Sequence, residues 1–231
     1  MSPKNISIFI SSLTISLLML MPVTASAQFG KKKPKIIQEP DTVPLFNGMA
    51  VSADLMGAGM KMLGDYGQYE AAVRVNLRDR YFPILELGIG QAEKTDVATR
   101  TYYKTKAPYA RLGVDYNLLK DKHDIYRLYG GVRYGYTNFK FDLMNPTVHD
   151  PVWGGNVDYS AFEVKSYYHW AEVVFGVDVT IAGPFHLGWS VRYRNRLFHD
   201  TGEMDNAWYV PGYGKAGKSV IGGTFNLIFE F

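Results

Sequence analysis

Phe-Asn-Leu-Ile-Phe-Glu-Phe, residues 225–231, is the stretch that decides the fold, and it stands at the end of the chain. Asn226 and Glu230 share one face, and large apolar side chains occupy every second position of the other: Phe225, Leu227, Phe229 and Phe231. A period of two predicts a β-strand. An apolar face on a free edge is unfavourable in water, but it is favourable against lipid. We therefore predict the closing strand of an outer-membrane β-barrel, with these four apolar residues as its insertion signal.

The first 27 residues have the composition of a signal peptide. Lys4 supplies a positive charge, residues 6–21 are mostly apolar, and Ala25-Ser26-Ala27 is typical of a cleavage site. We expect export across the inner membrane of a Gram-negative bacterium and cleavage after Ala27; an inner-membrane anchor is the alternative. Loss of Lys4 lowers the formal net charge of +3 by one. So small a charge gives no reason to expect a nucleic-acid partner.

Attachment to a membrane must come from the strands themselves. The chain has no cysteine, which excludes a lipoprotein anchor and disulfides. After residue 27, charged residues interrupt every apolar run before it reaches the roughly 18 residues of a transmembrane helix.

The chain divides into a signal peptide (1–27), a basic, proline-containing periplasmic tail (28–46) and one barrel domain (47–231). In the barrel we predict no helix and eight alternating runs, at about 48–58, 68–78, 82–92, 107–118, 125–140, 161–181, 185–197 and 218–231. The connections after even-numbered runs are short. Those after odd-numbered runs are longer, at about 59–67, 93–106, 141–160 and 198–217. This alternation predicts an all-β fold, an eight-stranded antiparallel transmembrane barrel with its long loops outside the cell.

Charged residues and glycines share one face of these strands. An eight-stranded barrel has an interior just wide enough for side chains. Glycines leave room there for long arginine side chains, whereas bulky residues such as Trp189 and Phe185 fit better outside. We therefore place the charged face inside and predict arginine–carboxylate pairs that plug the lumen, with a proton or ion path as the alternative. The predicted network is Asp54, Glu70, Arg74, Glu86, Arg111, Asp115, Arg133, Glu172, Asp178, Arg192, Arg194 and Glu230.

Aromatic residues cluster near the predicted strand ends. Tyrosine and tryptophan are enriched where a protein crosses the membrane–water interface. We therefore predict interfacial girdles that include Tyr81, Tyr102, Tyr103, Tyr126, Tyr167, Tyr168 and Trp170.

Two predicted loops contain residues that could support catalysis. A hydroxyl needs a base and the base needs an orienting group to form a nucleophile. His149, Asp150 and Ser160, or His199 and Asp200, could be placed in that way at the outer rim, as in an acyltransferase or deacylase of lipid A. Loop hydrogen bonding is the other role for these residues, and it is the one we favour. No metal-ligand spacing or nucleotide-binding motif is present, so we expect no metal and no cofactor.

The same outer loops are rich in aromatic residues. Asp-Pro-Val-Trp-Gly-Gly (150–155) and Trp-Tyr-Val-Pro-Gly-Tyr-Gly (208–214) combine aromatics with turn-forming Pro and Gly, which predicts ordered loops. One possibility is that the loops pack on each other over the barrel mouth. The other is an aromatic contact surface for a protein or a lipopolysaccharide sugar, formed by Trp153, Trp208, Tyr209 and Tyr213.

Six segments carry a family resemblance: PLFNG (44–48), APYARLGVDYN (107–117), DPVWGG (150–155), GWSVRYRNRL (188–197), WYVPGYG (208–214) and FNLIFEF (225–231). They resemble a Bacteroidetes family of predicted outer-membrane barrels, and the resemblance spans nearly all of the chain after the signal. It implies the barrel fold and implies no catalytic residues. The architecture is also similar to that of small OmpA and OmpX barrels. Asp41-Thr42-Val43 is similar to the O-glycosylation signal of that phylum, with Thr42 as the acceptor.

We therefore expect a non-enzymatic outer-membrane barrel, an accessory subunit of an envelope assembly or maintenance complex that acts through its loops and tail. The expected partners are outer-membrane lipid and lipopolysaccharide, the barrel-assembly machinery during insertion, and a stable outer-membrane protein. A lipid A-modifying enzyme and a surface adhesion or recognition barrel are the alternatives.

Overall fold

The computed structural model describes residues 44–149, 152–200 and 207–231. The predicted signal peptide, most of the predicted tail with Thr42, and the loop residue Asp150 lie outside the described residues.

Ten strands and one helix make up the described part. They are β1 (Met49–Asp54), α1 (Leu55–Leu63), β2 (Tyr66–Val75), β3 (Tyr81–Thr95), β4 (Tyr102–Asn117), β5 (Arg127–His149), β6 (Asn156–Ala182), β7 (Phe185–Asp200), β8 (Tyr209–Val210), β9 (Gly214–Lys215) and β10 (Ser219–Glu230). β8 and β9 form a small separate hairpin, which was not predicted. The one helix among the described residues is too short to cross a membrane.

The eight long strands form an antiparallel ring in the order β1-β10-β7-β6-β5-β4-β3-β2. The first and last strands close it over five residue pairs, from Ala50↔Glu230 to Asp54↔Asn226. The eight predicted strands are thus confirmed, with shifted ends. One end of the ring carries the connections β2–β3, β4–β5 and β6–β7, and we call it the turn end; the other end is the arm end.

Helix α1 contradicts the prediction that 48–58 is one strand and that no helix follows the signal. The alternation stops at Asp54, whose carboxylate accepts a hydrogen bond from the Met56 backbone N–H at 3.0 Å. This contact caps the first turn of the helix. Lys61 lies in the last turn, where a positive charge favours the negative end of the helix dipole. A nine-residue helix is too short for its period to be separated from a strand by inspection.

Strands at the arm end continue into two of the predicted long loops. The predicted loop 93–106 is strand except for 96–101, and the predicted loop 141–160 is strand over 141–149 and 156–160. Pairing with β4 ends at Met144, and pairing with β7 ends at Tyr167. Among the described residues, β5 and β6 pair only with each other beyond those points. We call the described residues of this projecting hairpin, 145–149 and 152–166, the β5–β6 arm.

The two faces of the ring have opposite chemistry, as predicted. The outward face is apolar along every long strand, with Leu112, Val132, Phe175 and Val191 each about three-fifths exposed. The inward face carries buried charged residues and buried aromatics. A barrel that folds in water has the reverse arrangement, because burial of apolar surface is its main driving force. We call the exposed apolar surface of the ring the apolar belt.

Candidate functional site

Eleven of the twelve residues predicted for the lumen network are buried, and the twelfth, Glu230, is partly buried at the turn end. At the centre, Glu86 accepts hydrogen bonds from Arg133 Nε and from Arg192 Nη1, each at 2.8 Å. Arg133 also donates two hydrogen bonds to Asp115, at 2.9 and 3.0 Å. Two-pronged pairs of this kind hold both groups in a fixed geometry.

Further pairs extend this network along the barrel axis. Towards the arm end, Arg111 bonds Glu70 and lies 3.4 Å from Glu172 Oε1. Arg194 Nε is 3.3 Å from the same Glu172 oxygen.

At the turn end, Arg74 donates to Asp178 at 2.7 Å, and Arg127 donates two bonds to Glu230, at 2.9 and 2.7 Å. The predicted arginine–carboxylate pairs are therefore present. A void beside them, lined by Arg74, Glu86 and Arg192, measures about 20 Å³, which is room for roughly one water.

Asp54 is the exception within the network. Its carboxylate caps α1 and also accepts from Gln68 Nε2 and the Phe225 backbone N–H, both at 3.4 Å. It serves the junction between helix and barrel and has no arginine among its hydrogen-bond partners.

Aromatic side chains fill the arm end of the lumen. Tyr103, Tyr168 and Trp170 are at most 3% exposed and face inward, so their predicted place in an interfacial girdle is wrong. They pack in one apolar cluster with Phe139 and Phe141. Tyr81, Tyr126 and Tyr167 are exposed, as a girdle requires, whereas Tyr102 is half-buried, and the girdle stays a prediction for these four.

The last loop folds down into this cluster. Tyr209 and Tyr213 are at most 2% exposed, which contradicts their predicted place on a contact surface. Tyr103 donates a hydrogen bond to the Tyr209 carbonyl at 2.7 Å, and Arg194 Nη1 donates to the Tyr213 carbonyl at 2.9 Å. Gly212 has a φ of +79° and packs over the Tyr109 ring, an approach that leaves no space for a side chain. The loop over 207–218 is thus a plug of the barrel mouth.

A pocket of about 370 Å³ lies at the barrel mouth, beside this plug. Trp208 and Tyr103 form its aromatic side, and Lys94 lies 4.8 Å from the centre of a Trp208 ring. Its polar lining is Asp96, Thr99, Thr101 and Asn145. Trp208, one of the four residues predicted for the contact surface, therefore borders a concave site at the mouth.

Trp153, the remaining member of that predicted surface, is at the tip of the β5–β6 arm. It is 87% exposed, and Phe162 on the same arm is 62% exposed. The structure thus separates the four predicted residues into two that form the plug, one at the mouth pocket and one on the arm.

The strand register does not place the candidate nucleophile Ser160 beside His149. His149 pairs with Asn156, whereas Ser160 pairs with Met144, so Ser160 lies about 13 Å along β6 from the partner of His149. His199 packs edge-on against Tyr168, at 5.4 Å between ring centres, and Asp200 is exposed. The side chain of His149 and the whole of Asp150 lie outside the described residues. No group of three metal-ligating side chains occurs within the described ranges.

A polar cluster that sequence reasoning missed lies at the turn end. Asp79 accepts hydrogen bonds from Asn47 at 2.9 Å and Asn76 at 2.6 Å, and it lies 2.7 Å from His123 Nδ1. Burial alone would raise the pKa of the Asp79 carboxyl, but the hydrogen bonds from Asn76, His123 and Asn47 outweigh it and lower that pKa. The cluster ties the chain before β1 to the turns β2–β3 and β4–β5. The sequence Asp-Arg-Tyr at 79–81 predicts the position of the turn, but it does not predict which residues hydrogen-bond to Asp79.

The terminal segment lies as the alternation predicts. Leu227, Phe229 and Phe231 are exposed on the outside of the ring, and Phe225 packs against Trp189 with 4.9 Å between the ring centres and the rings tilted by 36°. Phe231 exchanges two backbone hydrogen bonds with Met49, at 2.7 and 2.8 Å.

Comparison with known proteins gives a family and one similar structure. The crystal structure of neisserial surface protein A (NspA) matches 81% of this chain and 98% of its own, with 13% sequence identity and a TM-score of 0.42. A search of the curated proteins found no match. A family model described as a domain of unknown function, DUF6048, matches residues 6–231. Because that match spans nearly the whole sequence, the chain belongs to the DUF6048 family.

Proposed function

We propose that this chain is a non-enzymatic integral outer-membrane barrel that serves as an accessory subunit of an envelope assembly or maintenance complex. The apolar belt is the observation that carries the membrane assignment. Only a helix or a ring of paired strands satisfies the backbone within lipid, and a belt of this kind marks the lipid-facing side of an outer-membrane barrel. The turn end is periplasmic and the arm end is outside the cell in this proposal.

The filled lumen supports a role other than transport. Arginine–carboxylate pairs occupy its centre, and the aromatic plug occupies the arm end. Solute would have to break several buried ion pairs to pass, and breaking such a pair is strongly unfavourable. In a planar bilayer we expect no stable conductance steps, and steady open-channel current would contradict this part of the proposal.

The β5–β6 arm is the part best suited to hold a protein partner. Its exposed Trp153 and Phe162 are residue types that often anchor interfaces. In the arm, β5 extends beyond its pairing with β4, and β6 extends beyond its pairing with β7. The outer edges of these two strands could therefore pair with a strand of another protein.

Affinity purification from outer membranes in mild detergent tests this role. We expect a stoichiometric outer-membrane protein to accompany the wild type and to be lost from a Trp153→Ala, Phe162→Ala double variant. Val97→Ala is the matched control, because Val97 is 93% exposed in the adjacent β3–β4 turn. A lone barrel in all three samples would contradict the subunit role.

A recognition barrel is the second candidate, and the mouth pocket favours it. An aromatic side with an acidic, an amide and two hydroxyl side chains offers both stacking and hydrogen bonds to a sugar of lipopolysaccharide. Trp208→Ala would then weaken lipopolysaccharide binding while the partner of the first experiment stays bound.

The non-enzymatic part of the proposal is supported by the register that separates Ser160 from the partner of His149. We expect His149→Ala and His199→Ala to leave the lipid A mass profile unchanged. A changed profile would favour the acyltransferase or deacylase alternative. Secretion with cleavage after Ala27 and assembly by the barrel-assembly machinery complete the proposal, and the intact mass of the mature chain tests the cleavage.

A further inference from the structure

The strand ring is incomplete on one side of its arm-end half. β1 pairs with β10 only as far as Asp54↔Asn226, and then the chain leaves the sheet as α1. β10 continues to Ser219, paired with β7, and β2 continues to Tyr66, paired with β3. Between these two strand edges the wall of the barrel is formed by α1 in place of a strand.

Helix α1 packs closely on β2 and loosely on β10. A Cβ added at Gly67 of β2 would lie 2.3 Å from the Lys61 backbone nitrogen, so helix and strand are in direct contact there. A Cβ added at Gly223 of β10 would still be 3.7 Å from Met56 Sδ, which is an ordinary contact distance. Gly223 therefore places no side chain between helix and strand, and this leaves a gap there, whereas a Cβ added at the neighbouring Gly222 would lie 3.2 Å from Arg194 Nη1.

That gap is a cleft of about 450 Å³, within the usual size of ligand pockets. Met56, Met60, Val220 and Ile221 form its apolar wall, and Ile221 is 73% exposed on the outside of the ring. Methionine side chains adapt to apolar ligands of irregular shape. The cleft thus opens sideways, at the level of the apolar belt, towards whatever surrounds the barrel.

The polar lining of the cleft favours an anion. Arg194 lies at its inner end and Lys215 at its exposed rim. Asp54 is the acid of the lining, and its oxygens already accept from the Met56 and Phe225 backbone and from Gln68. Arg194 is already engaged by Glu172 and by the Tyr213 carbonyl. Lys215 is therefore the exposed charge of the cleft lining, and it favours an anionic ligand.

We propose that this cleft binds one acyl chain of a phosphate-bearing lipid of the outer leaflet, with the phosphate at Lys215. The inference rests on the proposed membrane function, because lipid reaches the cleft only if the apolar belt lies in a bilayer. The apolar wall takes the chain, the sideways opening admits it from the leaflet, and the rim cation selects the charged headgroup.

Photolabelling in vesicles tests this proposal. The full-length protein is placed in phosphatidylcholine vesicles with a small share of phosphatidylglycerol that carries a diazirine on one acyl chain. We expect label on 55–63 and 219–223 to exceed label on the belt segment 107–117, and to be displaced by unlabelled phosphatidylglycerol. Lys215→Gln should lower cleft labelling about fivefold, the factor expected for one lysine near a membrane surface. Lys218→Gln, also exposed but outside the cleft lining, is the matched control.

A second variant keeps the test independent of charge. Gly223→Phe adds a ring beside Met56, and the Cβ of the new side chain meets its neighbours only at ordinary contact distances. It should abolish cleft labelling and leave belt labelling and gel mobility unchanged. If labelling of the cleft is no stronger than labelling of the belt, the lipid-binding proposal is overturned and the proposed membrane function still stands. A belt without label would overturn the proposed membrane function and this inference with it.

Discussion

Glu86 provides the sharpest test of the lumen network. Its side chain is 1% exposed and faces three guanidinium groups, with Arg133 and Arg192 at 2.8 Å and Arg111 Nε at 3.2 Å. Glu86→Gln keeps the size of the side chain and removes its charge. Three buried arginines then share one fewer carboxylate, and removal of one partner from a buried ion pair destabilises by about 3–5 kcal/mol.

The glutamine retains one acceptor oxygen, so we expect the lower end of this range, about 3 kcal/mol of unfolding free energy. Small proteins lose roughly 1–3 kcal/mol of stability per molar urea, so the unfolding midpoint should fall by about 1–3 M. Urea unfolding in detergent micelles, followed by tryptophan fluorescence and by gel mobility, measures that midpoint.

Glu163→Gln is the matched control for this experiment. Glu163 is on the β5–β6 arm, and its side chain is 74% exposed. Its Oε2 lies 3.2 Å from Nζ of Lys140, which is on β5 below the arm. An exposed pair contributes little to stability, so the control should match the wild type. If Glu86→Gln and the control unfold at the same urea concentration, the lumen is hydrated enough to screen these charges, and the claim that the buried ion pairs stabilise the barrel is refuted.

Three further predictions concern packing, acid stability and insertion. A Cβ added at Gly135 would lie 2.2 Å from the Trp170 ring, so Gly135→Leu should abolish refolding to the heat-modifiable form. Gly155→Leu is the control and should refold normally, because no atom lies within 4 Å of the new Cβ. Equal refolding yields of the two variants would refute the packing of the Trp170 ring. The pKa of the Asp79 carboxyl is lower in the folded state than its ordinary value of 3.8, so the ionised carboxylate stabilises the fold. This stabilisation is complete at pH values above 3.8 and is lost as the pH falls from 3.8 through the pKa of the folded state. The melting temperatures of wild type and Asp79→Asn should therefore differ at pH 7 and converge in strong acid, and a constant difference would contradict the hydrogen-bonded cluster. Phe229→Ala with Phe231→Ala should reduce assembly into the outer membrane, as measured by heat-modifiable gel mobility, and unchanged assembly would show that the terminal residues are not an insertion signal.

Alternation in the sequence was sufficient to assign the two faces of the strands. Long arginines next to glycines fit a narrow interior, and this volume argument placed residues such as Arg133 and Glu86 correctly. Their exact partners depend on register, which brings strands far apart in sequence side by side. Arg74 and Asp178, for example, are 104 positions apart.

The local exceptions to the strand pattern were the part that sequence could not resolve. Asp54 ends a strand and caps a helix of nine residues. Over so few residues the helical period of 3.6 cannot be told from the strand period of two, so the sequence did not reveal the change from strand to helix. Tyr209 and Tyr213 belong to a loop, where no period links a side chain to a face, so the aromatic motif could not separate a buried plug from an exposed surface. Tyr168 and Trp170 were assigned to the outside by residue type alone, although they alternate with the outward Tyr167 and His169.

The measurement that tests the account most directly is the environment of single spin labels on the reconstituted barrel. The chain has no cysteine, so one substitution gives one label. Labels at Leu112→Cys and Val132→Cys, both outward, should be reached by oxygen dissolved in lipid and shielded from a water-soluble nickel chelate. A label at Ser190→Cys, which is buried in the lumen, should be reached by neither. Free access of the nickel chelate to Leu112 and Val132 would show that the apolar belt faces water and would contradict the membrane barrel.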